Sequence, residues 1–194
     1  EMLAQKKQYL TPQEYLSLER SSEIKSEYFN GEVFAMSGAT ENHNLIVTNI
    51  ISELCSQLKG RPCKVYPGDM RVKVSQTGLY TYPDVVALCG KAVFDDEHRD
   101  TLINPAVIIE VLSKSTEAYN RGVKFCHYRK LESLVEYVLV SQDQFLIEHY
   151  SRQSDNQWLL SAIESIEGSV TLSSIQCTLA LSEVYDKVEI EEAC

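Results

Sequence analysis

The chain has 194 residues, of which 44% are hydrophobic and 24% are charged, a composition that predicts one globular domain with a sizeable core. Its formal net charge of −10 argues against tight non-specific binding to nucleic acid, because lysine and arginine supply most of that affinity. A divalent cation bound by clustered carboxylates makes their surroundings locally positive, so a metal-dependent site stays compatible with this charge.

No run approaches the roughly 18 to 20 apolar residues that a membrane span needs. The opening residues, EMLAQKKQYL, lack the apolar core and cleavage site of a secretory signal, so we expect a cytoplasmic protein. The cysteines at positions 55, 63, 89, 126, 177 and 194 form no C-x-x-C pair, and several lie in apolar runs. We expect them to be reduced and structural, in preference to a disulfide or metal role.

The first predicted element is a short helix that ends near Arg20. The segment Thr11-Pro12-Gln13-Glu14 combines a threonine N-cap, a proline at the first helical position and the glutamate of a capping box. Next, IKSEYF and EVFAM flank Asn30-Gly31, a pair that tolerates the positive φ angles of a type I′ turn. This pattern predicts a β-hairpin.

Apolar residues recur at helical spacing between Glu41 and Leu58, which predicts a long helix lying on a sheet. Three predicted strand segments follow: CKVYPGDMRVKV, TYPDVVAL and PAVIIEVL. The last two are nearly continuous apolar runs, as is typical of buried central strands. The polar segment GKAVFDDEHRDTLIN between them is predicted to be a loop.

The C-terminal part begins with a helix-permissive segment from Ser115 to Leu131. A second hairpin, formed by EYVLVS and QFLIEHY, is followed by WLLSAI, GSVTL and a short helix near LSEVYD. Residues from about 187 to 194 are predicted to form a frayed tail, which leaves a domain core of about residues 11–185. The order of elements predicts an α/β (α+β) fold, a mixed sheet with helices on its faces.

Glu110 is the carboxylate that most needs an explanation, since every neighbour from Ala106 to Leu112 is apolar. Burial of an ionised carboxylate costs several kcal/mol unless the group is paired or bound to a metal. Taken alone, Glu110 fits a strand end in solvent or a pair with an arginine as well as it fits a functional site. Asp84 stands at the front of another apolar run, and taken alone it reads as a turn aspartate after Pro83. Together, two carboxylates on neighbouring strands offer the hard oxygen ligands that Mg²⁺ prefers.

Asp84 in YPDVV stands 26 positions before Glu110 in IIEVLS, and this arrangement resembles the split acidic motif of the PD-(D/E)xK nucleases. Further strings resemble the Uma-type restriction endonuclease family from about Thr11 to Tyr185: EYFNGEV, the later His43, GDMRVKV, YPDVVAL, NPAVIIEVLSKSTEAYNRGVKF and EYVLVSQD. The resemblance implies a restriction-endonuclease-like fold and metal-dependent hydrolysis of DNA, with Asp84 and Glu110 as the metal-binding acids.

The chain departs from the superfamily pattern at position 112, where a leucine replaces the lysine expected two residues after the second acid. The resemblance implies that Lys124, in the following helix, supplies the catalytic cation instead. Arg121, Lys124 and Tyr128 are spaced at i, i+3 and i+7, so we expect them on one helical face. Without the resemblance, the same residues read as a solvated basic face.

Further candidates for the surroundings of the site are Asp69, Glu32 and His43. Asp69 in GDMRVKV is either a further ligand or a turn aspartate, and the family string favours the site. Glu32 reads equally as a solvent-facing strand residue, and His43 as an exposed imidazole. We carry all three with Arg121 and Tyr128 as residues that surround the catalytic ones.

No phosphate-binding loop of the form G-x-x-x-x-G-K-[ST] or G-x-G-x-x-G occurs, so we expect no nucleotide cofactor, and no G-x-S-x-G supports covalent catalysis. We therefore expect a homodimeric endonuclease that uses Mg²⁺, with Mn²⁺ as a substitute, and acts on DNA. Two alternatives stay open. One is an inactive nuclease fold that serves as a binding or assembly module, and the other is a metal-dependent hydrolase of a smaller phosphate substrate.

Overall fold

The computed structural model describes residues 9–190, which alternate between helices and strands. The helical elements are α1 (Pro12–Glu19), α2 (Glu41–Leu58), α3 (Glu117–Tyr119), a π-helical turn (Asn120–Lys124), α4 (Phe125–Tyr128) and α5 (Leu181–Val184). The strands are β1 (Ser26–Phe29), β2 (Glu32–Ala35), β3 (Cys63–Pro67), β4 (Arg71–Val74), β5 (Leu79–Thr81), β6 (Val85–Cys89), β7 (Thr101–Leu102), β8 (Val107–Leu112), β9 (Glu136–Ser141), β10 (Ile147–Arg152), β11 (Trp158–Ile163), β12 (Ser169–Leu172) and β13 (Cys177–Ala180). No helix in this part of the chain is long and apolar enough to cross a membrane.

The strands form two larger sheets and one small ladder. A six-stranded sheet has the order β11-β10-β9-β8-β6-β3, and a five-stranded sheet has the order β2-β1-β5-β4-β7. Strands β8 and β9 run parallel, whereas β6 is antiparallel to β8, so the larger sheet is mixed. Strands β12 and β13 pair only with each other. The predicted mixed α/β fold is confirmed.

Two segments that the sequence predicts as single strands pass from one sheet to the other. CKVYPGDMRVKV divides into β3 of the six-stranded sheet and β4 of the five-stranded sheet, with a turn at residues 68–70. TYPDVVAL divides in the same way, because its first residue, Thr81, ends β5 and its last four residues belong to β6. Pro83 has no N–H to donate, so it interrupts a ladder. Asp84 therefore lies at the junction between the two sheets.

The core alternates between the two faces of β8. Val107, Ile109 and Val111 pack with the buried residues of α2, whereas Ile108 and Leu112 pack with Tyr128 on the opposite face. Successive side chains of a strand point to opposite faces, so Glu110 shares the second face. The predicted long helix is thus confirmed, and it covers the face that Glu110 does not use.

The predictions for the first helix and hairpin are confirmed. Thr11 and Glu14 form the capping box at the start of α1. Asn30 and Gly31 have φ angles of 48° and 86°, as a type I′ turn between β1 and β2 requires. The hairpin places Glu27 directly opposite Phe34.

The prediction that every cysteine is reduced is wrong for one pair. Cys63 and Cys89 lie opposite each other in the antiparallel β3–β6 ladder and form a disulfide. The two cysteines are 26 residues apart in sequence and match no cysteine motif. The register of the two strands brings them together.

The predicted C-terminal tail begins inside the described structure. Val188 and Ile190 pack against the core, and Glu189 accepts a hydrogen bond from Asn42 through its backbone oxygen. Residues 191–194, the rest of the predicted tail, lie outside the described residues.

An ion-pair network joins α1 to the segment before β7. Asp100 accepts hydrogen bonds from Arg20 and lies 3.1 Å from the Arg71 guanidinium. The hydrogen bonds from Arg20, with the charge of Arg71, hold the pKa of Asp100 below its ordinary value of 3.8. Stability from a lowered carboxyl pKa is present above the ordinary value and is lost as the pH falls below it.

We therefore expect Asp100→Asn to lower the free energy of unfolding at pH 7 by about 1–2 kcal/mol, after allowance for solvent screening. The difference from wild type should shrink as the pH falls from 4 to 3, and urea unfolding at several pH values measures it. Asp143→Asn, at an exposed turn, is the control. A difference that stays constant down to pH 3 would contradict the ion-pair explanation.

Candidate active site

Most of the predicted site residues line one cleft of about 760 Å³. The cleft lies where the two sheets, the N-terminus of α2 and the π-helical turn meet. The candidate residues in its lining are Asp84, Glu110, Lys124, His43 and Asp69. Residues far apart in sequence thus meet in one concave site.

Glu110 is a buried carboxylate with two donors on one oxygen. The Lys124 ammonium lies 2.8 Å from its Oε1 atom, and the Tyr128 hydroxyl donates a hydrogen bond of 2.8 Å to the same atom. Among residues 9–190, no hydrogen bond reaches Oε2. Burial raises the pKa of Glu110 to about 7, although the Lys124 charge opposes this rise. The buried carboxylate therefore depends on the Lys124 charge and the Tyr128 hydroxyl for its stabilisation.

Asp84 enters the cleft from the strand beside Glu110. The β6–β8 ladder pairs Val85 with Ile109, and its continuation by one residue places Asp84 opposite Glu110 on the same face. The backbone N–H of Val111 donates to Asp84 Oδ2 at 2.8 Å. Both carboxylates are thus held side by side on two adjacent interior strands of the six-stranded sheet.

His43, in the first turn of α2, contacts the other oxygen of Asp84. Its Nε2 atom lies 3.2 Å from Asp84 Oδ1. Burial alone lowers the pKa of His43, but the hydrogen bond to Asp84 and the charges of Asp84 and Glu110 outweigh it and raise the pKa. Both oxygens of Asp84 therefore have a fixed donor, and this fixes the orientation of the carboxylate.

Lys124 reaches the cleft because the helix after β8 contains the π-helical turn. A π-helical turn has more residues than an α-helical one, so it shifts the residues that follow it around the helix axis. Asn120, Lys124 and Tyr128 are buried as a result. Burial alone lowers the pKa of Lys124, but the charges of Glu110 and Glu27 outweigh it and raise the pKa, so the side chain stays a cation.

Arg121 does not share this face, and the prediction that it lies beside Lys124 is wrong. Its guanidinium forms ion pairs with Glu117 and Glu148, and it does not line the cleft. The spacing of i, i+3 and i+7 assumed a regular α-helix, whereas the π-helical turn changes the register after Asn120.

Glu27 belongs to the site and was missed in the sequence. Its Oε1 atom lies 3.2 Å from the Lys124 ammonium and accepts a hydrogen bond of 2.5 Å from Thr81. The Tyr119 hydroxyl donates to Oε2 at 3.0 Å. Glu27 begins the string EYFNGEV, and an acid within a predicted strand was the available signal. Nothing in the string distinguishes it from Glu32.

Glu32 and Asp69 lie farther from the centre of the site than their sequence context suggested. Glu32 lies beside the hairpin turn, opposite Phe29, and does not line the cleft. Asp69 lines the cleft, but its side chain is 85% exposed and forms an ion pair of 2.9 Å with Lys25. It therefore lies at the edge of the site, in the turn between the two sheets.

The chemistry of the donor set fits an open hard-cation site. Asp84 and Glu110 supply carboxylate oxygens, and Mg²⁺ in enzymes is commonly held by one or two carboxylates together with waters and substrate phosphates. Within residues 9–190, no group of three or more His, Cys, Asp or Glu side chains is arranged to hold a metal ion. The described residues therefore do not form a closed structural metal site.

The fold and the cleft define a protein of the restriction-endonuclease-like class. A family model described as "Putative restriction endonuclease", Uma2, matches residues 12–182, so the chain belongs to the Uma2 family. The resemblance read from the sequence is confirmed at this level.

Relatives and a solved structure agree with this assignment. The uncharacterized proteins slr1290 and sll1609 of Synechocystis sp. are each 34% identical to the chain. The first match covers 91% of both chains, and the second covers 84% of this chain and 93% of the relative. A crystal structure of "a putative nuclease belonging to DUF820" from Anabaena variabilis superposes with a TM-score of 0.75 at 20% identity, covering 91% of this chain and 97% of the other. At that identity the likeness establishes the fold.

Proposed function

We propose that this protein is a Mg²⁺-dependent endonuclease that hydrolyses DNA phosphodiester bonds. The observation that carries the proposal is the Lys124 ammonium, 2.8 Å from the Glu110 carboxylate, in a cleft that Asp84 also lines. A lysine from a helix thereby supplies the cation that position 112 lacks. Leu112 shares the strand face of Glu110 but is packed in the core.

Asp84 and Glu110 would hold the Mg²⁺ ion, which polarises a scissile phosphate and lowers the pKa of a bound water. His43 and the Val111 N–H keep the Asp84 carboxylate oriented toward its neighbour. Lys124 keeps a fixed positive charge beside Glu110, where it stabilises negative charge that develops on the phosphoryl oxygens.

Glu27 positions the ammonium group of Lys124. It faces Lys124 from the five-stranded sheet, while Glu110 faces it from the six-stranded sheet. Thr81 and Tyr119 donate to Glu27 and fix its carboxylate in turn. Two carboxylates hold the Lys124 ammonium in a fixed position. A fixed cation is preorganised to stabilise the negative charge that develops on the phosphate.

The second candidate function is an inactive nuclease fold that binds a partner. It is favoured by the lining of the cleft, in which carboxylates outnumber ammonium groups among the residues that the structure describes. An active nuclease with this cleft depends on its metal to attract the phosphate, whereas a binding module has no such need. Metal-dependent cleavage therefore separates the two functions. The proposal also includes a homodimer, a single-domain organisation and a cytoplasmic location.

A plasmid-nicking assay tests the proposed function. Supercoiled plasmid is incubated with the protein in Mg²⁺ or Mn²⁺, with and without excess EDTA. We expect cleavage with either metal and none with EDTA, while the melting temperature of the protein changes little, because an open site does not hold the core together. Undiminished cleavage in EDTA would contradict the metal role. A folded protein that cleaves neither the plasmid nor a single-stranded DNA with any metal would favour the binding module.

A further inference from the structure

The cleft around Asp84 and Glu110 is acidic. Among residues 9–190, five carboxylates, two ammonium groups and the His43 imidazole line it, a formal excess of three negative charges when His43 is neutral. The carboxylates are those of Glu23, Glu27, Asp69, Asp84 and Glu110. Duplex DNA carries about one negative charge per 1.7 Å of its axis, and a single strand about one per 3.4 Å. The lining therefore repels a duplex more strongly than a single strand.

Both lysines of the cleft are paired with carboxylates of the protein. Lys25 forms an ion pair of 2.9 Å with Asp69 and donates to the Gly68 carbonyl at 3.1 Å. Lys124 is buried and lies between Glu110 and Glu27, at 2.8 and 3.2 Å. Carboxylates of the protein thus largely offset the charges of both lysines, so the lysines add little to the electrostatic affinity for duplex DNA.

Exposed apolar side chains form part of the same cleft. Ile24 is 63% exposed and Phe34 is 49% exposed, and both line it. Phe34 lies directly opposite Glu27 in the β1–β2 ladder, so its ring projects from the sheet face that carries Glu27. An exposed aromatic ring in a cleft proposed to act on DNA is a surface on which a nucleic-acid base stacks.

The faces of the bases are available only where a strand is unpaired. In a duplex, each base is covered by its stacked neighbours, and the grooves present only base edges. A base in a single strand can leave its neighbours and stack on an aromatic side chain, and this contact does not require positive charge. The negative charge and the exposed apolar side chains of the cleft therefore both favour a single strand over a duplex.

We propose that the cleft binds unpaired single-stranded DNA, with a base stacked on Phe34, and that cleavage is directed to single-stranded segments rather than to intact duplex. The proposal rests on the proposed nuclease function for the cleavage step, whereas the binding step does not require it. Phe34 is then a residue that determines substrate class. Val33 is the matched control, because it is also exposed but points to the opposite face of β2 and does not line the cleft.

Fluorescence anisotropy tests the binding step with one 5′-fluorescein-labelled DNA of mixed sequence, free or annealed to its complement. With Ca²⁺ as the metal, we expect the full-length protein to bind the single strand about tenfold or more tightly than the blunt duplex. Phe34→Ala should weaken single-strand binding on the order of tenfold, and Phe34→Trp should preserve it. Val33→Ala should leave it unchanged. Because both cleft lysines are paired with carboxylates, affinity should fall only weakly with salt.

Tighter binding of the duplex, no binding of either DNA by the folded protein, or equal losses in Phe34→Ala and Val33→Ala would overturn the proposal. Cleavage of the same DNAs in Mg²⁺ separates it from the nuclease function. Phe34-dependent binding of the single strand without cleavage supports the binding step and contradicts the nuclease. Cleavage that prefers blunt duplex supports the nuclease and contradicts the choice of substrate.

Discussion

Lys124→Ala should lower the rate of DNA cleavage on the order of 10²-fold or more, the scale expected when a preorganised charge at a developing oxyanion is removed. Lysine is not a metal ligand, so Mn²⁺ binding should be largely retained. The rate is measured under single-turnover conditions with saturating Mg²⁺, and metal binding by titration calorimetry. A drop in rate without a drop in metal affinity is the expected signature.

Removal of Lys124 also affects folding. Its ammonium is buried against Glu110 and Glu27, and loss of one partner from a buried ion pair costs about 3–5 kcal/mol. Lys124→Met retains most of the side-chain volume without the charge and provides a second variant. Lys130→Ala, at an exposed lysine outside the cleft, is the control. A folded Lys124→Met protein that cleaves at the wild-type rate would remove Lys124 from the mechanism.

Asp84→Asn should abolish most cleavage, with a loss on the order of 10²-fold or more, because the metal loses one of two carboxylate ligands. The amide oxygen of asparagine can still accept the hydrogen bond from the Val111 N–H, so the fold should be retained. The plasmid assay measures the loss, and a thermal melt checks the fold. Asp155→Asn, in the turn between β10 and β11, is the control because Asp155 does not line the cleft.

The sequence predicted those parts of the fold that depend on local pattern. The capping box of α1, the Asn30-Gly31 turn and the apolar stripe of α2 are each formed by residues close together in the chain. Glu110 was identifiable because one acid in an apolar strand conflicts with simple burial. Its contact with Lys124 followed from the family resemblance and not from local pattern.

The features that the sequence did not predict depend on contacts between distant residues or on irregular backbone. Glu27 approaches Lys124 only after the two sheets meet, and an isolated hairpin gives it no advantage over Glu32. The π-helical turn moved Arg121 off the shared face, and regular helical spacing contains no signal for it. Pro83 was the indication that TYPDVVAL divides between two sheets. The apolar residues after it nevertheless favoured the prediction of one continuous strand.

Calorimetric titration of Mn²⁺ into the wild-type protein, Asp84→Asn and Glu110→Gln tests directly whether Asp84 and Glu110 share one metal ion. We expect the wild type to bind one ion in the cleft and each variant to bind it on the order of 10²-fold more weakly, with Asp155→Asn unchanged. Wild-type affinity in either folded variant would contradict a metal site shared by Asp84 and Glu110.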